Sequence, residues 1–180
     1  MPKKPIAELL DDNRLIIWDI ADSRRVYNDG FYGEPLGDPR PKEDFDDPLL
    51  LDPVEALYLV QQKKIKVHKQ NNSIGMKKLR ELGEKTFSRF NEKYRVYSDL
   101  RKRGFVVTPG IKYGCDFAVY ESGPGIDHAP YVVQIMDSKE ELSASEIVKA
   151  GRLATTVRKS FILAIINEDI RYLEFNWWKA

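Results

Sequence analysis

The pattern of apolar and polar positions changes about halfway along this 180-residue chain. In the first half, short alternating apolar runs predict two small strands, at residues 14–18 and 24–27. Asp52 followed by Pro53 is typical of a helix start, because an acidic N-cap and an early proline both suit the first turn. The phrase KKIKVH, which follows that helix, predicts another strand.

A helical pattern connects the two halves. It begins at Ser73, breaks near Phe90 and ends at Gly104, a residue type common at helix C-caps. We place the domain boundary inside this connection. The prediction is therefore an N-terminal domain over residues 1–86 and a C-terminal domain over residues 87–180.

The second half combines apolar runs with one amphipathic pattern of helical period at residues 143–157. The apolar runs predict strands at residues 105–107, 115–120, 131–136, 161–166 and 170–175. A sheet covered by helices accounts for this order. The predicted fold is α+β: a small N-terminal mixed α/β domain followed by a C-terminal α/β sandwich with a central mixed sheet.

Residues 30–53 interrupt the first half with a segment rich in glycine, proline and aspartate. Proline and glycine at this density end helices and central strands, so we predict a long loop. Loops of this length in compact domains are usually functional or disordered. Lys42 stands near the centre of this loop, among acidic residues.

The composition narrows the possible partners. With 29 basic and 28 acidic residues the net charge is +1, so a face that binds nucleic acid must be a local cluster. The single cysteine excludes an internal disulfide and a cysteine-based zinc site. No apolar run approaches the roughly 18 residues of a membrane span and no signal-peptide pattern opens the chain, so we expect a soluble, cytoplasmic protein. Without a glycine-rich phosphate motif, we expect no nucleotide cofactor.

Three residues of the second half could carry acid–base chemistry: Tyr120, His128 and Lys159. Taken singly, each has an ordinary explanation. A tyrosine at a strand end usually packs, a histidine in a loop usually lies exposed, and a lysine after a helix usually faces the helix dipole. The residues alone therefore leave their role open.

Four phrases in a fixed order change this interpretation: RVYSDLRKRGF, KYGCDFAVY, DHAPYVV and GRLATTVRKSFILAI. In order and spacing they resemble the catalytic domain of archaeal tRNA-splicing endonucleases. The resemblance covers about residues 54–175 and makes the C-terminal sandwich a nuclease domain. It implies an endoribonuclease that removes introns from precursor tRNA at bulge-helix-bulge sites. Attack by the RNA 2′-hydroxyl, with no metal, would leave 2′,3′-cyclic phosphate and 5′-hydroxyl ends.

The same resemblance gives each candidate a role. Tyr120 ends the DF-x-x-Y phrase and would be the general base, His128 the general acid, and Lys159, which closes VRK, the transition-state stabiliser. These roles suit the chemistry, because an imidazole with an ordinary pKa of about 6.5 gives a proton near neutrality and an ammonium balances phosphorane charge. A tyrosine is a poor base unless a neighbouring cation lowers its pKa, and Lys159 is the candidate cation. Tyr113, earlier in the same phrase, is assigned to structure.

The resemblance also implies RNA contacts. Arg152 resembles an arginine that pinches a bulged base by cation–π stacking, with Arg171 or Trp177 as its candidate partner. Lys42 resembles a lysine that touches RNA near the cleavage site, in an inserted loop found in one archaeal branch.

The turn that carries Asp137, Glu140 and Glu141 resembles an acidic loop that docks into a neighbouring subunit. A solvated helix N-terminus explains the same acidic residues without a partner. In the branch with the inserted loop, the catalytic chain pairs with a non-catalytic chain of similar fold. We therefore expect a heterotetramer with such a structural subunit, with a homotetramer as the alternative.

Two other functions fit part of the sequence. A metal-dependent nuclease would use Asp116 with the triplet Asp137-Ser138-Lys139, which mimics the D…(D/E)-x-K pattern that binds magnesium through its acids. A non-catalytic structural subunit of the splicing endonuclease would lack part of the tyrosine, histidine and lysine set, which this chain has complete. A general RNA-binding module has no support, since no stacked-aromatic signature is visible.

Overall fold

The computed structural model of the chain describes residues 3–38, 41, 44–157 and 159–175. The chain divides into two compact units, Met1–Ser98 and Asp99–Ala180. The division falls inside a helix over Phe90–Lys102. The sequence pattern predicts the domain boundary just before this helix, and that boundary stays a prediction.

In its described residues, the first unit contains a mixed six-stranded sheet. Its strands are β1 (Ile6–Leu9), β2 (Leu15–Ile17), β3 (Glu34–Pro35), β4 (Leu49–Leu51), β5 (Lys66–Lys69) and β6 (Asn72–Ile74). They lie in the order β3-β4-β2-β1-β5-β6. β1 and β5 are parallel, and the other neighbouring pairs are antiparallel. The strands predicted at residues 14–18 and in the phrase KKIKVH are confirmed as β2 and β5.

The helices of this half are α1 (Ile20–Asn28), α2 (Pro53–Gln61), α3 (Met76–Thr86) and α4 (Phe90–Lys102), the last of which continues into the second unit. The predicted start of α2 is confirmed. The side chain of Asp52 accepts a hydrogen bond from the backbone N–H of Val54 at 2.8 Å, and Pro53 occupies the first turn. The break near Phe90 is confirmed as the gap between α3 and α4, and Gly104 ends the helical region with a φ of 94°.

The strand predicted at residues 24–27 is wrong, because this segment lies in α1. The side chain of Asp19 accepts a hydrogen bond from the backbone N–H of Asp22 at 2.8 Å and so caps the helix. Ser23, Val26 and Tyr27 are buried, a spacing that puts them on one helical face. The cap and the helical period outweigh the β-propensity of a short apolar run.

The loop predicted over residues 30–53 is wrong in part, because β3 and β4 lie within it. β4 runs between β2 and β3, and its Leu49 and Leu51 are buried. Leucines at alternate positions lie on one face of a sheet. The loop therefore ends where β4 begins, at Leu49, and not at residue 53.

The prediction that Ser73 opens a helix is also wrong. Positive φ values at Gln70 (48°) and Asn71 (65°) turn the chain back on itself. Ser73 therefore pairs with His68 in a β5–β6 hairpin, and the helix begins at Met76. Asparagine is a residue type that tolerates this left-handed backbone, which explains the turn.

The second unit is built on a mixed five-stranded sheet in its described residues. Its strands are β7 (Val106–Pro109), β8 (Phe117–Tyr120), β9 (Tyr131–Asp137), β10 (Ser160–Ile166) and β11 (Ile170–Phe175), in the order β11-β10-β9-β8-β7. β9 and β10 are parallel, and the other neighbours are antiparallel. The helix α5 (Ala144–Val157) connects the parallel pair, as parallel strands require.

One apolar cluster of this unit lies between α5 and the sheet. Ala150 of α5 packs with buried residues of β9, β10 and the segment before β8: Cys115, Val132, Phe161 and Leu163. The predicted class is therefore confirmed: the fold is α+β, with a small mixed α/β domain followed by an α/β sandwich on a central mixed sheet. Among the described residues, none of the helices combines the length and the apolar character that crossing a bilayer requires.

Candidate active site

The loop over residues 121–130, which we call the short loop, joins β8 to β9 and folds around one carboxylate. Oδ2 of Asp127 accepts hydrogen bonds from the backbone N–H groups of Glu121 and Ser122, each at 3.1 Å. Oδ1 accepts from the N–H of Gly123 at 2.7 Å. The residue before His128 is thereby joined to the residue that follows Tyr120.

A tight turn completes this loop. The carbonyl oxygen of Gly123 accepts hydrogen bonds from the N–H groups of Ile126 and Asp127, each at 3.1 Å. Gly125 has a φ of 87°, a backbone angle that residues with a side chain rarely adopt. Gly125, the second glycine of the phrase GPGIDH, therefore suits this backbone conformation. The turn that it allows brings Asp127 back towards β8.

The pKa of Asp127 reflects this arrangement. Burial raises the pKa, but the N–H groups of Gly123, Ser122 and Glu121 together outweigh burial and hold the pKa of this carboxyl below its ordinary value. The side chain is therefore a carboxylate near neutrality, which is the form that accepts three N–H groups.

His128 leaves this loop with an exposed side chain, whereas the next residue, Ala129, is 2% exposed. The ammonium of Lys159, which is half-buried, donates a hydrogen bond to the carbonyl oxygen of Ala129. The contact joins the start of β10 to the residue beside His128. Two of the three predicted catalytic residues, His128 and Lys159, thus lie at the same end of the parallel pair.

Tyr120, the third candidate, is the last residue of β8 and pairs with Val106. Its side chain is only 4% exposed. The ring that the Lys159 ammonium faces is that of Tyr113, with its Nζ 5.1 Å from the ring centroid. The structure therefore puts Tyr120 in the segment that leads to His128, and puts Tyr113 against the candidate stabiliser.

Sequence reasoning assigned no part in the site to Asp127 or to the Ala129 carbonyl. The contacts of Asp127 could have been predicted from the sequence, because an aspartate in a glycine-rich loop commonly accepts hydrogen bonds from nearby backbone N–H groups. The contact of Ala129 could not, since it uses a backbone oxygen that every residue type carries.

The structure describes two of the four residues that are predicted to contact RNA. Arg152 lies exposed on α5, and Arg171 lies exposed on β11, opposite Ile165. Lys42 and Trp177 lie outside the described residues.

The predicted docking residues Asp137, Glu140 and Glu141 are all exposed. The turn is held by its own groups: Oδ1 of Asp137 accepts from the N–H of Lys139 at 2.9 Å, and Oε2 of Glu140 accepts from the N–H of Asp137 at 3.1 Å. The helix α5 begins only at Ala144, so these acidic residues precede its first turn.

Asp116, the first acid of the alternative metal-binding pattern, has a structural contact. Its Oδ2 accepts a hydrogen bond from the N–H of Ile135 at 2.8 Å. The paired part of β9 against β8 ends at Val133, so this carboxylate takes the place of a strand partner just beyond it. In the part of the chain that the structure describes, no three histidine, cysteine, aspartate or glutamate side chains gather as a metal site would need.

Comparison with known proteins extends over both units. Residues 6–80 match the tRNA intron endonuclease N-terminal domain, and residues 90–172 match the tRNA intron endonuclease catalytic C-terminal domain. A tRNA-splicing endonuclease of Hyperthermus butylicus is 44% identical over 171 residues, which is 92% of this chain and 94% of that protein. Proteins of the same name from Sulfurisphaera tokodaii and Saccharolobus islandicus are each 41% identical, over 97% of this chain and 99% of theirs. The resemblance of the four phrases is confirmed: this chain belongs to the tRNA intron endonuclease family.

Proposed function

We propose that this chain is the catalytic subunit of an enzyme that removes introns from precursor tRNA by cutting bulge-helix-bulge sites. The match of its second unit to the family's catalytic domain supports this function, as do the names of its relatives. The observation that carries the proposal is the contact between Lys159 and the carbonyl of Ala129, beside the exposed His128. It brings a cation and a titratable imidazole to one end of the sheet, where they could act on the same phosphate.

The reaction uses a nucleophile that the RNA supplies. Tyr120 acts as the phenolate, which takes the proton of the 2′-hydroxyl and becomes a phenol, while the 2′-oxygen attacks the adjacent phosphorus. The bond from phosphorus to the 5′-oxygen breaks while the His128 imidazolium gives its proton to that oxygen. Lys159 balances the negative charge of the phosphorane. The products are a 2′,3′-cyclic phosphate and a 5′-hydroxyl, and no step of this scheme calls for a metal.

RNA recognition in this proposal is mainly by shape, since double-stranded RNA offers little sequence readout in its deep groove. Arg152, exposed on α5, stacks on a bulged base, with Arg171 or Trp177 as the second side of the pinch. Lys42 contacts the RNA near the cleavage site.

Two cleavage sites in one substrate need an even assembly. The proposed form is a heterotetramer of this chain with a structural subunit of similar fold, and a homotetramer is the alternative. The exposed carboxylates of Asp137, Glu140 and Glu141 would dock against a basic surface of the neighbouring subunit. We also propose that the boundary between the N-terminal and C-terminal domains lies between residues 86 and 87.

The test is cleavage of a bulge-helix-bulge RNA by the purified chain in excess EDTA, followed by analysis of the product ends. Cyclic phosphate and 5′-hydroxyl ends are expected. Cleavage that requires magnesium would contradict the mechanism and favour the alternative based on Asp116 and Asp137. If the chain is inactive alone but active after a structural subunit is added, the heterotetramer is supported.

A pair of variants tests which tyrosine is the base. Tyr120→Phe removes only the hydroxyl, and we expect it to slow cleavage by about 10²–10⁴-fold, as for the loss of a general base. Tyr113→Phe keeps the ring that faces Lys159, so we expect a rate close to that of the unmodified chain. The reverse result would move the base to Tyr113, the half-buried residue of the two.

A further inference from the structure

We infer that Asp127 is a positioning residue for His128, holding the backbone from which the imidazole reaches the leaving 5′-oxygen. The inference rests on the proposed function, because it presupposes that His128 is the general acid. Asp127 itself touches neither the RNA nor the reacting atoms, and acts through the residue that follows it.

The contacts around the carboxylate hold one side of His128. Both oxygens of Asp127 are used, and the three N–H groups that they accept belong to consecutive residues, Glu121 to Gly123. This arrangement fixes Asp127 relative to the end of β8. The peptide between Asp127 and His128 is planar, so fixing Asp127 restricts the Cα position of His128.

The other side of His128 is held by the core and by Lys159. Ala129 is buried, and its carbonyl accepts the hydrogen bond from Lys159. His128 is therefore an exposed side chain between two secured neighbours. A histidine on an unsecured loop would spread over many positions, and a displacement of about 1 Å at a reacting group can lower a rate by about 10²-fold.

Few side chains can hold the loop as Asp127 does. An aspartate offers two oxygens, an asparagine offers one oxygen and an N–H₂ that cannot accept, and an alanine offers neither. Asp127→Asn can keep the contact at one oxygen, whereas Asp127→Ala loses all three. We therefore expect a graded loss of rate, with the alanine variant slower than the asparagine variant.

The experiment compares two RNA substrates, using the full chain in the assembly that cleaves the RNA. The first substrate has the ordinary 5′-oxygen at the scissile phosphate, and the second has sulfur at that bridging position. A thiolate leaves without being protonated, so cleavage of the second substrate does not need the general acid. The attack by the 2′-oxygen and the bond that breaks at phosphorus are otherwise the same.

On the ordinary substrate we expect Asp127→Ala to lower kcat by about 10–100-fold with little change in KM. On the sulfur substrate we expect Asp127→Ala and His128→Ala both to return close to the rate of the unmodified chain. Equal slowing of Asp127→Ala on both substrates would overturn the inference, because the loss would then not pass through His128. If His128→Ala stays slow on the sulfur substrate, the general-acid role itself fails.

A spectroscopic measurement checks the position of the imidazole directly. The chain has two histidines, His68 and His128, so the imidazole signals in an NMR spectrum of histidine-labelled protein are few and assignable. Asp127→Ala should shift or broaden the His128 signals and leave those of His68, in β5 of the other unit, unchanged. Unchanged His128 signals would contradict the inference, even if the rate falls.

The matched control is Asp12→Ala. Asp12 also accepts a backbone N–H in an exposed turn, that of Arg14 at 3.1 Å, but lies in the first unit. We expect this variant to cleave both substrates at the unmodified rate. A comparable loss of rate in Asp12→Ala would show that removal of any such carboxylate slows the enzyme, which would contradict a specific role for Asp127.

Discussion

The two loops of this protein that carry its proposed RNA chemistry are held in different ways. The described residues of the long loop of the first unit, residues 30–48, are held from outside, by the pairing of β3 with β4 and by side chains from α1 and α2. Glu55 of α2 accepts the N–H of Gly33 at 2.9 Å, and Arg24 of α1 donates to the carbonyl of Phe45 at 2.6 Å. The short loop of the second unit is held mainly from within, by the carboxylate of Asp127, with one contact from outside, from Lys159 to the carbonyl of Ala129.

Because of this difference, changes in the long loop should lower mainly stability, and changes in the short loop should lower mainly activity. The anchors of the long loop also belong to the packing of their helices, since Glu55 is 3% exposed and accepts from the hydroxyl of Tyr97 at 3.1 Å. Changing them should affect the folding of the first unit before it affects cleavage. The short loop supports one exposed histidine, so changing it should affect cleavage before it affects folding.

The largest expected effect on stability is that of Glu55→Ala. The substitution removes the carboxylate to which the N–H of Gly33 and the hydroxyl of Tyr97 donate, at a buried site. Loss of an acceptor that leaves buried donors unsatisfied commonly costs about 1–3 kcal/mol. Chemical denaturation followed by circular dichroism measures the free energy of unfolding.

The control for this variant is Glu34→Ala, which removes an exposed glutamate next to Gly33 in the same loop. Exposed substitutions of this kind usually change the free energy of unfolding by less than about 0.5 kcal/mol. A loss below about 1 kcal/mol in Glu55→Ala would mean that the long loop is not anchored through α2.

The second prediction concerns Gly125→Ala in the short loop. Gly125 has a φ of 87°, and no heavy atom lies within 4 Å of the position that an added Cβ would occupy, so the methyl has space but the backbone is strained. Left-handed backbone costs an L-residue about 1–2 kcal/mol. We expect this strain to open the loop and to slow cleavage by about tenfold, measured under single-turnover conditions.

Gly104→Ala is a matched control for that variant, because Gly104 has a φ of 94° and the same open surroundings at the end of α4. The free energies of unfolding of the two variants should fall by similar amounts. Only Gly125→Ala should slow cleavage. Equal rates for the two variants would remove the link between the short loop and the chemistry.

The sequence was sufficient to predict the strands and the helix α5 of the second unit, and part of the elements of the first unit. Each strand of the second unit was predicted within a few residues, because its apolar runs are separated by clear turn residues, many of them glycine or proline. The first unit has shorter elements, whose apolar positions fit two periods. Residues 24–27 fit a strand until the cap formed by Asp19 is known, and the hairpin at Gln70 and Asn71 depends on left-handed backbone that no hydrophobic pattern records.

The site was predictable in its residue types but not in its contacts. The family phrases identify Tyr120, His128 and Lys159 as candidates. They do not say that Lys159 donates to the carbonyl of Ala129 or faces the ring of Tyr113. A backbone carbonyl leaves no mark in a sequence, and the approach of β10 to the short loop follows from the parallel pairing of β9 and β10.

A smaller effect is expected at the second anchor of the long loop. Arg24→Ala removes the hydrogen bond to the Phe45 carbonyl and the ion pair with Asp46, which is largely exposed. Such contacts are worth about 1 kcal/mol or less, so the loop should open about fivefold more often with little change in global unfolding. Limited proteolysis by an enzyme that cuts beside aspartate, at Asp44 and Asp46, measures this opening.

Arg25→Ala provides the comparison, because this neighbouring arginine donates to the carbonyl of Lys3 and to Asp22. Proteolysis within the long loop should proceed at the unmodified rate in this variant. If both arginine variants are cut faster, the effect comes from a weakened α1 and not from the contact with the loop.

The smallest expected effect is a difference in pH dependence between Asp52 and Asp127. Burial raises the pKa of Asp52 more than the N–H groups of Val54 and Glu55 and the charge of Lys93 lower it. Its contribution to stability is thus present below the ordinary aspartate pKa and is lost as the pH rises through the raised value. Asp127, whose pKa is lowered, contributes above the ordinary value, and that contribution is lost as the pH falls through the lowered one.

The two asparagine variants should therefore depend on pH with opposite signs. Asp52→Asn keeps a good N-cap residue and should be more stable than the unmodified chain at neutral pH, with the gain disappearing in acid. Asp127→Asn should be less stable at neutral pH, with the deficit shrinking in acid. Urea unfolding at a series of pH values between about 3 and 7 measures both, since that interval spans the ordinary aspartate pKa. If the two differences change with pH in the same direction, the carboxylates are held alike, and the contrast between a half-buried helix cap and a loop that folds around its own aspartate is wrong.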